Sequence, residues 1–149
     1  MTSSNHATIS RNSIAQAILA GEQGRKDRIE QAAYEREMQR LGRISEAPGR
    51  AADILSGLTE AIAHAVAAAD ENPQSFVVMW VQPHEYDGDV DRNMGLGYRG
   101  PQQGIPDQLQ LAARQVYDAL ADLEPELVYR SKDGLLSGKG QLAIVLRLS

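Results

Sequence analysis

Ser75-Phe76-Val77-Val78-Met79-Trp80-Val81 decides how this chain folds. The run is almost continuously apolar and rich in β-branched and aromatic residues. That predicts a strand, and the lack of alternation predicts a central one covered on both faces. Two more strands are predicted downstream, Glu126-Leu127-Val128-Tyr129-Arg130 and Gln141-Leu142-Ala143-Ile144-Val145-Leu146-Arg147-Leu148. Residues 131–140, with Asp133-Gly134 and Gly138-Lys139-Gly140, read as the turn joining them. Val77, Met79, Val81, Ile144 and Leu146 are the expected centre of the core.

Upstream of residue 75 the apolar spacing is helical. Asn12 or Ser13 can cap a short helix near 12–20, and a longer, densely charged helix is expected near 23–42. Gly21 and Gly24 weaken the stretch between them by about 1 kcal/mol each relative to alanine. Gly42 to Pro48 reads as a boundary. A third helix over 48–70 then places Ile54, Leu55, Leu58, Ile62, Ala65, Val66 and Ala69 on one broad face. A last helix is expected over 106–123, with Leu109, Ala112, Ala113, Val116, Leu120 and Leu123 as its apolar residues. The order α-α-α-β-loop-α-β-β is that of an α+β fold. Two to three N-terminal helices and one further helix pack on a small, about three-stranded, mostly antiparallel sheet.

Residues 1–44 form a polar arm and charged helical segment, whose thin stripe of Ile29, Ala32, Ala33, Met38 and Leu41 cannot stabilise a helix alone. That segment is the expected oligomerisation element, making the protein its own partner. Residues 45–149 form the α/β core domain.

At 149 residues, 42% hydrophobic and 23% charged, the chain suits one ordinary globular domain. A net charge of −5 argues against general nucleic-acid binding, which needs a basic face. The absence of cysteine excludes disulfides, thiolate metal sites and cysteine nucleophiles. No apolar run reaches the length of a membrane span, and the polar start Met1-Thr2-Ser3-Ser4-Asn5-His6 is not a secretion signal, so a cytoplasmic protein without membrane partners is expected.

The candidate site is the loop 84–105. Connections longer than about 12–15 residues are uncommon in compact domains and are often functional. Gly95-Leu96-Gly97-Tyr98-Arg99-Gly100 spells G-x-G-x-x-G, but the strand ends near Val81 and Pro101 follows directly. The dinucleotide fingerprint needs its glycines between a strand and a helix, so that fold is not expected. A looser role is. Tyr86, Arg92, Tyr98 and Arg99, with Gly95, Gly97 and Gly100, suit an anionic, nucleotide-like or phosphorylated small ligand through charge-assisted hydrogen bonds and stacking. The plain alternative is that the glycines only make turns and Arg99 pairs with Asp87, Asp89 or Asp91. His84, Glu85, Asp87, Asp89 and Asp91 are weak candidates for Mg²⁺ or Ca²⁺. The EF-hand pattern fails, since Arg92 and Tyr98 stand where it needs glycine and glutamate. No catalytic residue is assigned and no cofactor is expected. The leading expectation is a non-catalytic, homo-oligomeric protein that captures an anionic ligand in this loop. The alternative is a structural or assembly subunit of a viral-type particle or complex, and a small metal-assisted hydrolase ranks third.

Overall fold

The computed structural model describes residues 9–95, 97–100, 102–131 and 138–148. Most of the expected polar arm and the Asp133-Gly134 turn lie outside the described residues. The chain divides between Gly42 and Arg43 into two compact units.

Helix α1 (Arg11–Ser56) begins in the first unit. Its start is capped by Ser10, whose Oγ accepts from the Ser13 N–H at 3.1 Å, slightly upstream of the expected cap. α1 runs unbroken through Gly21, Gly24, Gly42 and Pro48, where two breaks were expected. An isolated glycine costs only about 1 kcal/mol, and the Ala, Leu, Glu, Gln and Arg around these positions are strong helix formers. Pro48 removes one backbone hydrogen bond and crowds the preceding turn. Ala47 and Ala51, buried on either side of it, tie that part of the helix into the core. The break comes instead at Gly57, and α2 (Leu58–Ala68) follows. Between Arg11 and Leu41 every residue is exposed, and the polar side chains pair along the helix, Gln23 with Asp27, Gln31 with Glu35 and Arg40 with Glu37.

The second unit is built on a four-stranded antiparallel sheet of β1 (Ser75–Trp80), β2 (Asp91–Asn93), β3 (Glu126–Ser131) and β4 (Lys139–Arg147). β4 is the strand that every other strand pairs with. β3 lies along one side of it; on the other, β1 pairs with residues 143–147 and β2 with 139–141. The expectation of a central, doubly covered Ser75–Val81 strand is therefore corrected. Leu142 through Leu146 are all buried, whereas Met79 is the one buried residue of β1, and its register shifts between Val77 and Met79. Continuous apolarity marked both strands equally. β4 is nine residues long and can be paired on both edges along its length, while β1 is six residues and bulged. Val77 is accordingly half-buried rather than central. The fourth strand, β2, sits inside the expected loop.

The helix expected over 106–123 is shorter. α3 (Leu111–Ala119) is flanked by single 3₁₀ turns, Pro106–Gln108 and Ala121–Leu123. Leu111 with φ 54° and Glu124 with φ 53° adopt left-handed conformations that interrupt the helical path at both ends. Ala112, Ala113, Val116 and Leu120 enter the core as expected, beside Tyr86, Leu109, Leu142 and Ile144, whereas Leu123, carried past the helix end on the 3₁₀ turn, is exposed.

Ile144 has no exposed surface. Ile144→Ala should cost about 2–5 kcal/mol in denaturant unfolding, whereas Val77→Ala on the edge strand should cost less than half as much. Equal losses would place the two strands on equal footing and contradict the central position of β4.

Candidate functional site

The described residues of the segment 84–105 are bonded into the domain. Pro83–Glu85 forms a 3₁₀ turn in which the Glu85 carboxylate accepts from the Gln82 N–H at 3.0 Å while the Glu85 N–H donates back to the Gln82 carbonyl at 2.8 Å. Proline fits the first position of such a turn because its missing N–H would have no partner there. Downstream, the Asp87 N–H donates to Gln108, Tyr86 bridges to Leu109, and residues 102–104 bond to the outer edge of β3 through Gly104 to Leu127 and Tyr129 to Gln102.

Glu85 is the polar centre of this region, with 1% of its surface exposed. Arg50 of α1 reaches it in a two-point fork, Nε to Oε2 and Nη2 to Oε1, both at 3.1 Å. This hydrogen-bonded carboxylate raises the pKa of Arg50 above its ordinary value. The backbone carbonyl of Glu85 accepts from the Gln110 N–H at 2.8 Å, which joins the turn to the start of α3. A buried carboxylate is tolerated when its oxygens are filled in this way. The residue expected as a weak metal ligand thus serves to tie α1, the turn and α3 together. Its partner Arg50 left no trace in the sequence: it lies 35 residues away as an ordinary arginine on a helix.

A cleft beside the pair is lined by Arg43, Glu46, Arg50, His84 and Leu111 and has a volume of about 30 Å³. That is room for one or two waters, against several hundred Å³ for a small-molecule site. His84 and Glu85 meet here, but Asp87, Asp89 and Asp91 are exposed along the chain. Among the described residues no three His, Asp or Glu side chains converge as a metal ion would require.

Of the expected ligand residues, Tyr86, Arg92 and Tyr98 lie near enough to Tyr129 to act on its charge. Tyr86 is buried, and its hydroxyl accepts from the Ile105 N–H at 3.0 Å. Arg92 lies over the ring of Tyr129, 4.1 Å from its centroid. The Tyr98 N–H donates to the Gly95 carbonyl at 3.0 Å, with Gly97 at φ 85°, the conformation a tight turn asks of glycine. The Tyr98 side chain packs over Gly100, where a β-carbon would collide with its hydroxyl. Arg99 is exposed and forms no ion pair with Asp87, Asp89 or Asp91 among the described residues. Of the two arginines expected to hold an anion, Arg99 alone is fully at the surface. Compared with known proteins, the chain matches no family model, no curated protein and no solved structure.

Two measurements follow from this geometry. Arg50→Ala leaves the buried Glu85 carboxylate with its turn amide alone and should cost about 3 kcal/mol, the lower end for an orphaned buried charge because Arg50 itself is partly exposed. Chemical denaturation checks this, and a loss under about 1 kcal/mol, the level of a surface pair, would contradict it.

Tyr129 is 4% exposed, its hydroxyl donates to the Asp89 carbonyl at 2.5 Å, and burial raises its pKa above 10.0. A phenol that ionises less readily when folded stabilises the fold below its unfolded pKa, and that stability is lost as pH rises towards the folded value. Above about pH 10 the melting temperature of the wild type should therefore fall more steeply than that of Tyr129→Phe. Parallel curves would rule out Tyr129 as the titrating group.

Proposed function

We propose that this protein is a non-catalytic assembly component whose helical segment before Arg43 is covered by partner surface. The observation that supports this is the exposure of that segment. Ile14, Ile18, Leu19, Ile29, Tyr34, Met38 and Leu41 are each at least 46% exposed on one continuous helix. Helices in proteins draw most of their stability from packing an apolar face. The only buried residues of α1 are Ala47 and Ala51, beyond this segment. Gly21 and Gly24 add to the deficit, since each costs about 1 kcal/mol in a helix. No atom outside the helix's own backbone lies within 4 Å of where their β-carbons would be.

The charges fit a protein partner. Arg11, Arg25, Lys26, Arg28, Arg36 and Arg40 are interspersed with Glu22, Asp27, Glu30, Glu35 and Glu37. A nearly balanced mixture of this kind offers no basic face to phosphates and suits a helix seated against another helix. Ligand capture by the 84–105 segment has less support, because Tyr86 and Arg92 are engaged in the fold and the neighbouring cleft is water-sized.

Sedimentation of the full chain should show an assembly at micromolar concentration. The same protein lacking the residues before Arg43 should sediment as a monomer with its sheet intact by circular dichroism. A full-length protein that is monomeric and retains no partner in native mass spectrometry would overturn this reading.

A further inference from the structure

The exposed helix has a face that reads the same from either end. Ile14, Ile18, Glu22, Arg25, Ile29 and Ala33 follow one another at spacings of four, four, three, four and four residues. At about 100° per residue they fall within an arc of about 100°, the width of one helix face. Reflected through the point between Gln23 and Gly24, Ile14 exchanges with Ala33, Ile18 with Ile29, and Glu22 with Arg25. Among these six residues a two-fold axis at that point pairs apolar with apolar and acid with base.

We propose that a second copy of this chain covers this face, with the two helices antiparallel and a two-fold axis between Gln23 and Gly24. The proposal rests on the assembly reading above and names its partner. A two-fold interface requires that if one residue meets another across it, the reverse contact is made too, and this pattern satisfies that condition. Glu22 of each copy meets Arg25 of the other, and Ile18 meets Ile29. The side chains are placed to do so. Ile14, Ile18 and Ile29 are 50%, 56% and 60% exposed. Among the described residues Glu22 and Arg25 form no ion pair or hydrogen bond within their own chain, although Gln23, Gln31 and Arg40 on the same helix do. A parallel, in-register pair would set Glu22 against Glu22 and Arg25 against Arg25, which like-charge repulsion disfavours. The same two-fold brings Arg11 towards Arg36 at the outer ends of the face, where solvent and salt screen the repulsion.

The charges and the direction can be tested separately in the full chain. Glu22→Arg and Arg25→Glu should each weaken self-association by about tenfold in sedimentation equilibrium at low salt, as two cross-pairs turn repulsive at once. The double substitution Glu22→Arg/Arg25→Glu should restore it. Because the chain has no cysteine, introduced cysteines report direction without interference. Ile18→Cys and Ile29→Cys proteins, mixed and gently oxidised, should give the mixed disulfide in preference to either symmetric one, since only cysteines close across the pair can bond. Symmetric disulfides in excess would overturn the antiparallel arrangement. An assembly that is lost on deleting the helix yet indifferent to the charge exchanges would overturn the pairing while leaving the assembly reading intact. A full chain that is monomeric but retains a different protein would overturn self-pairing alone.

Discussion

The sheet exists because β4 is paired along both of its edges. β1, β2 and β3 make no ladders with one another in the described residues; each is held by β4 alone. A strand in that position must be apolar on both faces, and Leu142 to Leu146 meet the demand without a polar interruption. Its partners are relieved of it. β1 can be bulged and half-buried, and β2 can be as short and polar as Asp91-Arg92-Asn93. Close approach around β4 also fixes its surroundings. A β-carbon at Gly104 would come within 2.8 Å of Leu127 and Leu142, so the segment bordering β3 admits only glycine there without displacing the core.

The second organising contact is the buried fork between Arg50 and Glu85. It joins the end of α1 to the turn before β2, beside the buried Ala47 and Ala51. Burial of a carboxylate is costly, and here the Arg50 guanidinium and the Gln82 amide compensate it at both oxygens. With Glu85 bound in this way, and Tyr86 and Arg92 set into the domain, part of the long connection is held by the fold. Gly97 serves a turn there, and Gly100 lies against the Tyr98 side chain.

The first unit follows a different logic. The second unit has a buried apolar core, although Ile44, Val66, Ile105 and Leu123 stay exposed there, whereas the helix up to Leu41 leaves every apolar side chain at the surface. Its charges are locally paired in several places, Gln23 with Asp27, Gln31 with Glu35 and Arg40 with Glu37. This division between a self-sufficient fold and an unsatisfied helix is the physical basis of the assembly reading.

Local patterns in the sequence determined the α+β class, three of the four strands and the inward faces of α3 and β4. Apolar period and turn residues act over a few positions and are legible there. The charged helix and its thin apolar stripe were equally plain, and with them the expectation of self-association. Tertiary structure alone decided the rest. Which apolar strand is central depends on what lies on its two edges, and Ser75–Val81 and Gln141–Leu148 look alike until they are paired. The polar strand β2 has no signal of its own, because β4 imposes it. Whether Gly42 and Pro48 end a helix depends on the packing of Ala47 and Ala51. The roles of Glu85 and Arg50 were likewise invisible: a buried ion pair is a meeting of two ordinary residues across 35 positions, and only the fold brings them together.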